Sequence, residues 1–154
     1  RLRTKLLHQA VAHCPRSKVI CHNCGAMFYL AANNYWAGTF QERNELLEKV
    51  DCLISNAVKF SPTRRVIDIT ADITPDNLTI DVADQRPGID AADESRIFEP
   101  FYRGKRSVAQ RISGAGVGLA IARACVELHY GEIGLTRTTA TGATFRLSLP
   151  LRPS

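Results

Sequence analysis

The segment Gly114-Ala115-Gly116-Val117-Gly118-Leu119 sets three glycines on alternate positions and then runs into an apolar stretch. A turn without side chains lets its backbone N–H groups approach an anion, and a helix starting there points its positive end the same way. The chemistry implied is a cradle for phosphate. Glycine-rich turns also serve tight packing, so the pattern gains its meaning from what stands upstream. Asn56, Asp84, Gly88 and the run Ile97-Phe98-Glu99-Pro100-Phe101-Tyr102-Arg103 precede it in that order. Glu48, Cys52, Asn56 and Lys59 recur at three- and four-residue spacing, which places them on one face of a helix. Taken alone, that stripe reads as a solvated surface.

A second constellation is Cys21-His22-Asn23-Cys24, with His13 and Cys14 close by. A structural zinc site needs a second ligand pair brought round by the fold. The plainer reading is a set of small, partly buried thiols. Five cysteines make an odd count without a secretion signal, which favours reduced thiols.

The elements that must position these groups follow from periodicity. Residues 2–12 read as a short helix ended by Pro15, Lys18–Cys21 and Met27–Ala31 as candidate strands, and Asn33–Thr39 as a loop. Gln41 to Phe60 is helical, with Leu46, Leu47, Val50, Leu53, Ile54, Ala57 and Val58 on one apolar face. Val66–Ile73 and Leu78–Ala83 alternate apolar with polar around Thr74-Pro75-Asp76-Asn77, as a hairpin does. Asp84–Ile89 is a turn, residues 90–98 a short helix, and 102–113 a polar, basic loop without pattern. Val117–His129 is a helix apolar almost all round, with Arg123 and Glu127 as an i,i+4 pair. Glu132–Thr138 and Ala143–Leu149 form a second hairpin around Thr139–Gly142. The class is therefore an α/β (α+β) sandwich: a mostly antiparallel mixed sheet with helices on one face.

The 154 residues suit one domain, 1–154, with no internal repeat and no dividing linker. No stretch matches a membrane span or a signal peptide. The chain begins at Arg1 rather than Met, so a longer protein is expected, with any anchor in the remainder. A net charge of +5 suits a polyanionic ligand such as a nucleotide, but the basic residues are scattered. No nucleic-acid partner is expected. A P-loop is absent, and so are the signatures of a eukaryotic-type protein kinase.

Leu53-Ile54-Ser55-Asn56-Ala57-Val58-Lys59-Phe60-Ser61-Pro62 resembles the N box of bacterial sensor histidine kinases. In the same order, residues 84–89 resemble the first glycine box, 97–103 the F box and 114–119 the second glycine box. Gly142-Ala143-Thr144-Phe145 is similar to the closing strand. The N box spans about 42–62 and the similarity about 41–150. The superfamily also holds gyrase, MutL and a chaperone ATPase. The resemblance implies a Bergerat-type (GHKL) ATP site, closed by a flexible lid over about 99–113.

By that resemblance Asn56 holds Mg²⁺, the hard-oxygen coordination this ion prefers. Lys59 reaches a phosphate as a point charge, and Phe60 packs near the adenine. Asp84 accepts from the adenine amino group and disfavours guanine, which has a carbonyl there. Gly88 and Ile89 let the chain pass the base, and Thr144 completes the pocket. Gly114, Gly116, Val117, Gly118 and Leu119 hold phosphates, with Arg103 and Lys105 of the lid as further contacts. Cys52 stands where the hydrolysing relatives carry a water-activating glutamate, which fits transfer to a protein side chain.

The expected cofactors are ATP and Mg²⁺. The expected activity is transfer of the γ-phosphoryl group to a histidine on a separate dimerisation domain, and a response regulator takes it from there. No histidine here stands in a phosphoacceptor pattern, as His8, His13, His22 and His129 lack the acidic and Arg-Thr-Pro context. The expected setting is the cytoplasmic part of an inner-membrane-anchored sensor. Two departures stand out: Arg86 replaces the first glycine of DxGxG, and Tyr130 the first of two usual glycines. Arg86 at a position needing positive φ or close ligand contact would be costly. The alternatives are a pseudokinase acting as a regulatory nucleotide-binding module, an anti-sigma-type serine kinase, and a zinc-dependent interaction module.

Overall fold

Alternation of side chains in the second half of the chain builds the sheet. In the computed structural model, residues 18–22, 40–61, 66–74, 76–109 and 111–150 are described. Strand β3, Asn77–Asp84, buries every second residue from Leu78 to Asp84. Strand β5, Gly142–Pro150, does the same from Ala143 to Leu149. These two strands pair antiparallel, Leu78 opposite Leu149 and Val82 opposite Phe145, so their apolar residues share one face. Strand β2, Val66–Ile73, pairs antiparallel with β3 and adds Ile67 and Ile69 to that face. Strand β4, Glu132–Thr139, closes the far side against β5, with a register shift between Leu135 and Arg137. Strand β1, Lys18–His22, pairs parallel with β2, so the order is β1-β2-β3-β5-β4 and the sheet is mixed.

Two helices cover the apolar face. Helix α1, Phe40–Phe60, turns Val50, Leu53, Ile54 and Ala57 inward. Helix α4, Gly118–Leu128, contributes Ala122 and Val126. Together with Ile80, Ile133, Phe145, Leu147 and their neighbours these residues form one core. The expected ion pair on α4 is present, Arg123 Nε lying 3.2 Å from Glu127 Oε1. Although α4 is apolar almost all round, Ile121 and Leu128 are exposed, because the sheet accepts only one face of it.

The hairpins and the two long helices fall within a residue or two of the expected bounds. Two shorter regions differ. Only Ala91–Glu94 of residues 90–98 is helical (α2), and turns carry the chain on to Phe101. The stretch expected to be an unpatterned loop holds a short helix, α3, Lys105–Ala109. The expected helix over 2–12, the strand Met27–Ala31, the loop Asn33–Thr39 and the partners Cys14 and Cys24 of a zinc site lie outside the described residues. Among the described residues no cluster of three or more His, Cys, Asp or Glu could hold a metal.

Candidate functional site

A cavity of about 390 Å³ opens between α1, the segment after β3, the segment after α2 and the glycine loop that leads into α4. The polar stripe of α1 forms one wall: Cys52, Asn56 and Lys59 line it, joined by Ser55 and Phe60. Glu48, the fourth member of that stripe, points to solvent beside Lys49. A helical face that taken alone reads as ordinary surface is thus one wall of a cleft, because α4 and the glycine loop stand opposite it.

The glycine loop forms the facing wall, with Gly114, Gly116, Val117, Gly118 and Leu119 on it. Its glycines serve three different needs. Gly114 has φ +140 with open space around it, so the backbone conformation alone demands glycine. Gly116 has φ +74, and a Cβ there would lie 2.6 Å from the Tyr102 carbonyl oxygen. The Gly116 carbonyl accepts from the Phe101 N–H at 2.9 Å, which fastens the loop to the F segment. A Cβ on Gly118 would meet Cys52 Sγ at 3.1 Å, so the helix start and the thiol are matched in size. Burial pushes the Cys52 thiol above its ordinary value, against the lowering pull of Lys49 and Lys59.

The segment after β3 forms the end of the cavity, where Gly88 and Ile89 contribute. The Gly88 N–H reaches the Ala140 carbonyl at 3.4 Å and the Ile89 N–H the Thr138 hydroxyl at 3.0 Å. A Cβ on Gly88 would fall 2.1 Å from the Thr139 carbonyl oxygen. Glycine is required here by the neighbouring β4–β5 turn.

Asp84 is not on the cavity wall. Its carboxylate is fully enclosed, and the Arg86 side chain covers it. Arg86 Nε donates to Asp84 Oδ2 at 2.6 Å, Arg86 Nη2 pairs with the same oxygen, and the Arg86 N–H donates to Oδ1 at 3.0 Å. The guanidinium lies 4.9 Å from the Phe60 ring centroid and 5.2 Å from that of Phe145. Arg86 itself lines the cavity in place of the acid. The expected backbone cost at position 86 does not arise: Phe101, Arg111 and Tyr130 are the described non-glycine residues with positive φ. Of the two concerns at this position, close contact with a ligand is the one the geometry leaves open, since the guanidinium stands on the wall over Asp84.

Of the lid residues, Arg103 lines the cavity, though its Nη2 donates to the Ile112 carbonyl. Lys105 is exposed at the start of α3 and is not on the wall. Thr144 of β5 lies opposite Ala83 of β3 and Arg137 of β4, alternates with the buried Ala143 and Phe145, and is not on the wall either. Three wall residues carry a role that sequence reasoning did not assign. Asp93 is buried and accepts from the Tyr102 hydroxyl at 2.6 Å, a bond that raises the phenol above its usual range. Gly104 packs on the same carboxylate, 2.6 Å from where its Cβ would be, and the trio ties α2 to the root of the lid. Phe145 sits at the inner end, edge-on to Phe98 at 6.2 Å. Gly104 and Phe145 fell within the lid and closing-strand segments already noted, whereas Asp93 lies between boxes and carried no sequence signal.

Residues 42–153, well over half of the chain, match the family described as histidine kinase-, DNA gyrase B-, and HSP90-like ATPase. The chain is 41% identical over 98 residues to the sensor protein KdpD of Escherichia coli (strain K12), covering 64% of this chain and 11% of that protein. It is 31% identical over 113 residues to the sensor histidine kinase WalK of Bacillus subtilis (strain 168), covering 72% of this chain and 18% of that one. It therefore spans a small part of these curated relatives. In fold it resembles the mycobacterial sensor histidine kinase MprB, with a TM-score of 0.72 at 21% identity over 99% of this chain and 95% of the other. A similar likeness, TM-score 0.69 at 22% identity, covers 97% of this chain and 30% of full-length ShkA solved with AMPPNP. By the family match and these relatives, the chain belongs to the histidine kinase-, gyrase B- and HSP90-like ATPases, as the catalytic ATP-binding domain of a two-component histidine kinase.

Proposed function

We propose that this domain binds Mg–ATP in the cavity and passes the γ-phosphoryl group to a histidine on the dimerisation domain of the full protein, from which a response regulator takes it. The observation that carries the reading is the shared wall: Asn56 and Lys59 of α1 face Gly114, Gly116 and Gly118 across one cleft. In the reaction an imidazole nitrogen attacks the γ-phosphorus, a P–N bond forms, and the bond to the bridging oxygen breaks, leaving its electrons on ADP. Such transfer depends on positioning and charge neutralisation more than on covalent work by the protein. Lys59 supplies a cation and the glycine loop supplies N–H donors at a helix start.

The donor set also fits a metal that arrives with its nucleotide. Asn56 offers one uncharged amide oxygen, half-buried on the wall, and the remaining ligands would be phosphate oxygens and water. When bound, Mg²⁺ would neutralise charge on the phosphates. Cys52 cannot activate water as a carboxylate does, and its thiol is held protonated. That supports transfer over hydrolysis. The setting proposed is the cytoplasmic part of a membrane-anchored sensor, the anchor lying in other parts of the protein. No helix among the described residues is long and apolar enough to cross a membrane.

The test is incubation with γ-labelled ATP and a cognate helical-hairpin domain. The expected product is acid-labile, base-stable label on the hairpin, lost in Asn56→Ala while ATP-independent stability is kept. Label on serine, or none on any hairpin, would sink the reading. The Arg86–Asp84 pair specifically favours one second reading, a regulatory module with impaired turnover. It would bind nucleotide weakly and label nothing.

A further inference from the structure

Asp84 ends β3 with its side chain wholly enclosed. Both of its oxygens are engaged. Oδ1 accepts from the backbone N–H of Arg86 at 3.0 Å and of Ala143 at 3.3 Å. Oδ2 accepts from Arg86 Nε at 2.6 Å and pairs with Nη2. A carboxylate offers about four acceptor positions; three are taken by hydrogen bonds, and the guanidinium, whose buried Nη2 makes no hydrogen bond of its own, lies across the fourth. That guanidinium is flat, donates only, and lies against the Phe60 and Phe145 rings. Those are the properties of an aminopurine edge: a planar π-system with N–H donors aimed at an acid.

We propose that Arg86 is an internal competitor of adenine for Asp84, and thereby sets how strongly this site takes ATP. The inference rests on the ATP reading above and adds a displacement step to it. Adenine enters by exchange: the Arg86 side chain leaves, Oδ2 passes from guanidinium to the purine amino group, and Oδ1 keeps its two backbone donors. Because Arg86 is tethered two residues from Asp84, it competes at an effective concentration of about millimolar or more. A charge-assisted pair in a dry setting is the stronger opponent for it. The exchange keeps adenine selectivity, since a guanine carbonyl would meet bare carboxylate.

The test measures Mg–ATP and Mg–GTP affinity by calorimetry for the wild-type chain, Arg86→Gly and Arg86→Gln. Arg86→Gly is expected to tighten ATP at least about tenfold, with GTP weak in both proteins. Arg86→Gln retains a neutral hydrogen bond to the buried acid, and covers the event that the glycine variant does not fold; it too is expected to tighten ATP. A measurement without a variant is the Arg86 Nε–H resonance. Hydrogen-bonded to Asp84 and buried, it should exchange slowly in the free protein and lose protection at saturating Mg–ATP. Unchanged or weaker ATP binding in both variants would overturn the inference and leave the kinase reading standing. A wild-type preference for GTP would overturn it too, because Arg86 would then stay and read the base. Absence of ATP binding by all three folded proteins would remove both.

Discussion

Cys52 shows how one residue can be informative through what it will not do. Its Sγ sits against Gly118, is half-buried, and has its ionisation raised by burial. The folded chain therefore prefers the thiol over the thiolate. Its contribution to stability is complete below the ordinary value of 9.0 and is lost as pH climbs through the higher folded value. Alkylation mapped by mass spectrometry should find Cys52 modified more slowly at pH 8 than in the denatured chain. Its rate should rise only in a more alkaline range. A Cys52 as reactive at pH 8 as in denaturant would contradict the burial argument. At position 86 the sequence raised two concerns, backbone strain and close contact with a ligand; the backbone there is ordinary, and the side chain stands on the cavity wall over Asp84. Residue type alone cannot reveal that a guanidinium two positions on will fold back onto Asp84. That depends on where Phe60 and Phe145 stand, and those arrive from α1 and β5.

Among the elements, the end of α4 carries a legible cost. His129, Tyr130 and Gly131 close the helix with N–H bonds to Val126, Glu127 and Val126 carbonyls, the Schellman arrangement, whose C′ residue takes positive φ. That residue is Tyr130, with φ 58, and its side chain is 80% exposed. Tyr130→Gly should stabilise the domain by about 1 kcal/mol and raise Tm by roughly 2–4 °C in thermal unfolding. A fall in Tm would show that the exposed ring contributes something the geometry does not. Gly131 offers no such freedom, since a Cβ there would sit 2.5 Å from the Ser148 carbonyl oxygen. Elements with a local signature were readable from the chain: α1 and α4 by their period, both hairpins by alternation and turn residues. The short helix α3 was not, because Lys105–Ala109 is too short and polar to show a period. The parallel pairing of β1 with β2 was not readable either. It joins Lys18 to Val66 across a helix, and no local pattern states such a contact.

At the scale of the whole molecule, core and site share a boundary, and Phe145 lies on it. Its ring is fully buried, meets Phe98 edge-on and backs the Arg86 guanidinium. Phe145→Ala should lower stability by about 3–5 kcal/mol in denaturant unfolding. It should also loosen the base end of the cavity, so that any remaining ATP binding weakens with it. A loss under 1 kcal/mol would mean that the sheet closes over the gap. The order of the boxes announced this site in the sequence, and the structure sets most of those residues around one cleft. Lys105, Thr144 and Asp84 fall outside its lining, for three separate reasons: exposure on α3, a place on the sheet face opposite Phe145, and cover by a neighbour.

The two ends of the cleft are also built to unequal stiffness. At Gly88 the wall is clamped by contacts to Thr138, Thr139 and Ala140, some fifty residues away along the chain. At Gly114 an added methyl would touch nothing, and Ser113, Gly114 and Ala115 are bare to solvent. Local opening is easiest where such anchoring is thinnest. On the proposed reading a nucleotide would settle its heterocycle against the clamped end once Arg86 has left it, and be gripped along its anionic tail afterwards, so shortening that tail should speed departure more than arrival.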